Sequence, residues 1–172
     1  KFRKKPFPGP SSVSLYENGV AKYSDPRNWL TYAEATRLHQ IEDQTDGIGF
    51  VLDEEDDFVV LDIDNCVRSD NGEISTGATN LIDDANSYAE ISPSGEGIHI
   101  ILKGNIPRQG WTLESDDFRI EIYDKFFITV TENHIRGTPP KALKRQSFLE
   151  ELFQYYTISW PDPKFTSYWP ER

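Results

Sequence analysis

The residues with the clearest chemical potential close a short apolar run, Val59-Val60-Leu61-Asp62-Ile63-Asp64. In an extended strand, side chains two apart share a face. Asp62 and Asp64 then stand side by side, and two carboxylates that close repel each other unless a cation sits between them. Mg²⁺ or Mn²⁺ suits such a site, because both favour oxygen donors. The plain alternative is a strand ending in two surface acids. An EF-hand reading with Asp62, Asp64 and Glu73 fails, because the position that needs glycine is Val67 and a strand, not a helix, precedes the loop.

A second group is Ser92-Pro93-Ser94-Gly95-Glu96-Gly97-Ile98-His99. Its small residues allow close backbone approach, and successive amides in such a turn can form an anion-binding concavity. His99 alternates with Ile98 and Ile100, so it takes the face opposite those apolar side chains. A serine hydroxyl, backbone amides and an imidazole at one spot suit a phosphate chain. The alternative is an ordinary glycine turn beside a surface histidine. A third group, Arg119-Ile120-Glu121-Ile122-Tyr123, alternates with period two and offers Glu121 as a third carboxylate. Taken by itself, Glu121 reads as a solvent-facing residue of an amphipathic strand.

These groups need strands to hold them. Ile48–Leu52 and Phe58–Ile63 read as neighbouring strands across an acidic turn at residues 53–57. Tyr88–Ile91, Ile98–Leu102, Phe118–Tyr123 and Phe126–Thr131 read as four more, with Asn105–Asp117 as loop. Helices are expected over Trp29–Gln40, with Thr31 and Glu34 as a capping box, from near Thr76 to Asn86, and over Ser147–Tyr156. Ser69–Gly77 reads as loop. The sum is an α+β fold, a mixed or antiparallel sheet with flanking helices. Residues 1–28 read as an irregular proline-rich arm, 29–145 as the core, and 146–172 as a helix followed by an extended tail.

The chain has 172 residues, 37% hydrophobic and 13% aromatic, enough apolar material for a packed domain. No apolar run approaches the ~20 residues of a membrane span, and no secretory signal opens the chain. One cysteine, Cys66, excludes a disulfide framework and a cysteine-based zinc site, and points to a reducing, cytoplasmic setting. The absence of methionine, even at position 1, reads as a piece of something larger or as a sequence with a missing start. A net charge of −11 argues against broad contact with nucleic acid. A local basic cluster can still act within a Debye length of roughly 8 Å. Lys1, Arg3, Lys4 and Lys5, with Arg136, Lys141, Lys144 and Arg145, are the candidates; solvated surface charge is the alternative for both clusters.

The order Gly-Ile-Gly-Phe-Val-Leu (47–52), Val-Leu-Asp-Ile-Asp-Asn-Cys (60–66), Tyr-Ala-Glu-Ile-Ser-Pro-Ser-Gly-Glu-Gly-Ile-His (88–99) and Ile-Glu-Ile-Tyr-Asp (120–124) resembles the primase–polymerases of phages and archaeal plasmids or viruses. These are members of the archaeo-eukaryotic primase superfamily. The likeness covers roughly residues 29–138. It implies a modified RRM-like core and a template-dependent nucleotidyltransferase, a DNA primase or DNA polymerase using two ions of Mg²⁺ or Mn²⁺. Asp62, Asp64 and Glu121 match the family's metal-binding acids. Ser94 and His99 match residues that hold the incoming triphosphate, with Gly95 and Gly97 shaping the turn. Lys125 or Phe126 stands where many relatives carry arginine, and Lys125 can still meet phosphate as a point charge. Glu132 stands where a glycine often follows. The implied partners are a single-stranded DNA template or primer, NTP or dNTP, and a helicase domain or protein outside this chain; no membrane is implied. Two rivals stand beside this reading: a non-catalytic DNA-binding or replication-initiation module of the same fold, and a metal-dependent nuclease using the same acids.

Overall fold

A computed structural model of the chain describes residues 5–6, 29–41, 47–53, 56–106, 111–114 and 118–159. Their elements run β1 (Lys5–Pro6), β2 (Trp29–Leu30), α1 (Tyr32–Ile41), β3 (Ile48–Leu52), β4 (Phe58–Asp64), α2 (Thr76–Ala85), β5 (Tyr88–Ile91), β6 (Ile98–Lys103), β7 (Trp111–Glu114), β8 (Arg119–Tyr123), β9 (Phe126–Val130) and α3 (Gln146–Ser159). This is the α+β class expected, and every pairing between these strands is antiparallel. Most of residues 1–28, and everything from Trp160 onward, lie outside the described residues.

The chain divides into two compact units. One comprises Lys1–Asp53 and Lys125–Thr131. In it β1 pairs with β2, and β3 pairs with β9 in the register Phe50↔Ile128. The start of α1 carries the expected capping box. The Thr31 N–H donates to Glu34 Oε2 at 2.7 Å, and the Glu34 N–H donates to Thr31 Oγ1 at 3.3 Å. The helix begins after Thr31, not at Trp29, because Trp29 and Leu30 are engaged as β2.

The other unit comprises Glu54–Asp124 and Glu132–Arg172, and holds a five-stranded sheet in the order β5-β6-β4-β8-β7. The run that ends in Asp62 and Asp64 is its middle strand. Both edges of β4 are taken, by β6 and β8. This corrects the expectation that β3 and β4 are neighbours: β3 finds its partner in β9. A second correction is β7, a strand inside the stretch expected to be loop.

Alternation splits the sheet into two faces. Val59, Leu61 and Ile63 of β4, Ile98, Ile100 and Leu102 of β6, and Ile120 and Ile122 of β8 form one buried apolar face. Ala78, Ile82 and Ala85 of α2 and Phe148, Leu149, Leu152 and Phe153 of α3 complete that core. Ser75 caps α2 by accepting from the Ala78 N–H. At its other end Arg145 donates to the carbonyls of Ala85 and Asp84. No helix among the described residues is long and apolar enough to cross a membrane.

Candidate active site

The opposite face of the sheet carries the ionisable residues. Register places Glu121 directly across from Asp62 on β8, and His99 directly across from Asp62 on β6. Glu90 of β5 lies across from His99, and Thr112 of β7 across from Glu121. One polar row, Glu90–His99–Asp62–Glu121–Thr112, therefore crosses all five strands. Asp64, two residues beyond Asp62 on the same face, has Arg119 as its partner on β8.

Electrostatics follow from this crowding. Burial pushes the Asp62 carboxyl up to about 6. The nearby charge of His99 opposes the shift, the charges of Asp64 and Glu121 add to it, and Arg119 again opposes it. His99 Nε2 stands 3.6 Å from Asp62 Oδ1, an electrostatic approach rather than a hydrogen bond. Glu121 is engaged by the Arg119 guanidinium. Arg119 Nε is buried without a hydrogen-bond partner.

The three acids thus share a face and lie at adjacent positions, and their donors are all oxygen, the set that Mg²⁺ and Mn²⁺ favour. Among the described residues no three His, Cys, Asp or Glu side chains are gathered as a metal-holding group. The Glu121 carboxylate is turned instead to the Arg119 guanidinium.

The turn between β5 and β6 is built as a tight hairpin. The Ser92 N–H donates to Gly97 O and the Gly95 N–H to Ser92 O. Gly95 takes φ +77°, which glycine adopts without strain. A Cβ on Gly97 would lie 2.8 Å from Ile63 O and 2.9 Å from Ser92 Oγ, so only glycine lets the turn sit this close to β4. The N–H groups of Cys66 and Val67 both donate to Glu96 O, tying the turn to the chain just past Asp64. Ser94 is exposed; its hydroxyl accepts from the Glu96 N–H at 3.2 Å and lies 3.0 Å from Ser92 Oγ. Part of the turn's amide set is thereby used internally. Cys66 is buried, and burial pushes its thiol up to about 12, so it offers no reactive thiolate.

Lys125 belongs to the other compact unit and is half-buried there; it is not one of the residues that the five-stranded sheet carries. Two residues of the site were missed as functional in the sequence. Arg119 was legible as a neighbour of Glu121 on the polar face of β8, but nothing in the spacing gave it Asp64 across the sheet. Glu90 is fully buried, and only its period-two placement in Tyr88-Ala89-Glu90-Ile91 signalled that it shares a face with His99.

No protein-family model matches the chain. A DNA primase-polymerase of Nitratiruptor phage NrS-1 is 32% identical to it over 114 residues, which cover 64% of this chain and 16% of that protein. The chain thus spans less than a fifth of the length of the curated relative it matches. The shared order of motifs and this match agree: over those 114 residues the chain is similar to a primase–polymerase.

Proposed function

We propose that this domain performs template-directed nucleotidyl transfer, as a DNA primase, a DNA polymerase or both, in the replication of a phage, virus or plasmid. The observation that carries the reading is the double register of β4, with Glu121 on one flank of Asp62 and His99 on the other. In this reading Asp62, Asp64 and Glu121 hold two Mg²⁺ or Mn²⁺ ions. Burial, with the charges of Asp64 and Glu121 adding to it, raises the Asp62 carboxyl to about 6, a penalty that a bound cation would offset. When bound, the ions would make the 3′-hydroxyl a better nucleophile and offset charge on the departing pyrophosphate.

The chain's own residues do the rest. Asp62 and Asp64 fix one side of the site from a single strand. Arg119 holds Glu121 until that carboxylate is needed and keeps a positive charge at the edge of the cluster. His99, buried in the row, directs Nε2 toward the acids, and the Ser94 hydroxyl lies on the turn pinned beside them. Both suit a nucleoside triphosphate, NTP or dNTP, whose phosphates need donors. Arg136, Lys141 and Lys144 are exposed and are the described cations available to hold single-stranded DNA on an acidic protein. A helicase domain or protein would lie outside this chain.

The test is primer-free synthesis on single-stranded DNA, run with ribo- and deoxynucleotides and with Mg²⁺ and Mn²⁺ separately. Products that require template and nucleotide support the reading. Degradation of labelled DNA by metal without nucleotides would transfer the site to a nuclease, and binding without synthesis would leave a DNA-binding module.

A further inference from the structure

Glu90 is a carboxylate with no exposed surface, and the proposed chemistry above does not use it. A buried carboxylate is costly unless donors surround it. Here the Tyr88 hydroxyl donates to Glu90 Oε2 at 2.8 Å, and the Glu132 N–H donates to the same oxygen at 2.9 Å. The other oxygen, Oε1, lies 3.3 Å from His99 Nδ1. With Oε2 taken by two donors, Oε1 is left to accept from the imidazole, the arrangement that puts the ring proton on Nδ1.

Both donors are themselves fixed. The Tyr88 ring stacks on His134, with centroids 5.2 Å apart and planes 22° apart. Burial, and then Glu90 itself, push the Tyr88 phenol well above its usual range, so it remains a donor. Glu132 takes φ +59°, a left-handed conformation uncommon for a non-glycine residue. The Glu132 N–H that meets Glu90 comes from this backbone. The Ile91 N–H donates to Asn133 O and the Ile135 N–H to Ala89 O, which tie this segment to the edge of β5.

We propose that Glu90 is the positioning residue of His99: it grips Nδ1 and thereby fixes the ring so that Nε2 faces Asp62 and an incoming triphosphate. The triphosphate part rests on the function proposed above; the grip on Nδ1 does not. Donor polarity makes the idea sharp. In Glu90→Gln the side-chain carbonyl must face the Tyr88 and Glu132 donors, so the amide NH₂ faces His99. Nδ1 then has to accept, and the ring loses its Nδ1 proton or turns away.

The experiment combines ¹⁵N-histidine NMR of the 172-residue chain with calorimetric titration of dATP and Mn²⁺ binding measured alone. The parent chain is expected to show His99 protonated at Nδ1, and Glu90→Gln to show it unprotonated there. The same change should weaken dATP about tenfold, leave Mn²⁺ affinity within about twofold, and add nothing once His99→Ala is present. An unchanged Nδ1 proton in Glu90→Gln, or an equal loss of dATP affinity in the His99→Ala background, overturns the inference. If His99→Ala binds dATP normally, the triphosphate role of His99 fails, and the NMR arm still decides whether Glu90 sets the ring. Should Glu90→Gln not fold, Tyr88→Phe carries the test. It keeps the carboxylate but removes one donor, and is expected to weaken dATP about threefold; no change in affinity or in the His99 signals overturns the proposal.

Discussion

Two adjacent rows of the five-stranded sheet differ by one residue in each strand and by everything in chemistry. Ala89–Ile100–Leu61–Ile122 is fully buried and apolar, packed under α2 and α3. Glu90–His99–Asp62–Glu121, one position along each strand, is ionisable throughout. Neighbouring strands lie about 4.8 Å apart, so four titratable side chains fall within about 15 Å. The comparison teaches that the core row supplies the stability with which the other row is held at spacings its members would otherwise avoid. A one-residue slip of any strand would exchange the two rows, which is why the buried face also fixes the register of the charged one.

The sharpest way to break the comparison is to remove one acid. Asp62→Ala or Asp64→Ala is expected to abolish nucleotide incorporation, by on the order of 10³-fold, with the circular dichroism spectrum retained. A variant with near-parental rates would reject the site. The matching change on the other face, Leu61→Ala, should instead cost about 2–5 kcal/mol in denaturant unfolding, because Leu61 is fully buried in the core. Gly97→Ala tests the join between turn and β4. Its Cβ meets Ile63 O at 2.8 Å, so a loss of about 1–3 kcal/mol with weaker nucleotide binding is expected.

The smallest effect is a dependence on pH. Burial lifts the folded carboxyl of Asp62 to about 6, above the ordinary aspartate value of 3.8, so the folded chain binds the proton more tightly than the unfolded chain does. Its contribution to stability is full below the unfolded value and is lost as pH rises through about 6. In metal-free protein, Asp62→Asn should therefore gain roughly 1–2 kcal/mol over the parent chain at pH 8 and nothing at pH 3.5, read by urea unfolding at each pH. The same proton competes with a cation, so Mn²⁺ affinity of the parent chain should fall as pH drops below 6.

Much of the local structure was legible. Thr31 and Glu34 announced their capping box, and the apolar spacing of Phe148, Leu149, Leu152 and Phe153 announced α3. Period-two alternation placed Asp62 with Asp64, and Arg119 with Glu121. Partner choice was not legible: Ile48–Leu52 and Phe58–Ile63 look like a natural pair, yet β4 has both edges occupied and β3 pairs with β9. Strand β7 hid in a polar stretch because an edge strand carries little periodic signal.

The sequence by itself determined which face of each strand is apolar, where the tight turn falls and which side chains are able to bind a cation or a phosphate, because these depend on the alternation and conformational freedom of neighbouring residues. Only the tertiary structure decided that Glu121 stands opposite Asp62, that Arg119 engages it, and that buried Glu90 takes His99 Nδ1. The first and last of these join residues 59 and 9 positions apart through cross-strand register, and register is settled by the packing of the whole sheet rather than by any one segment.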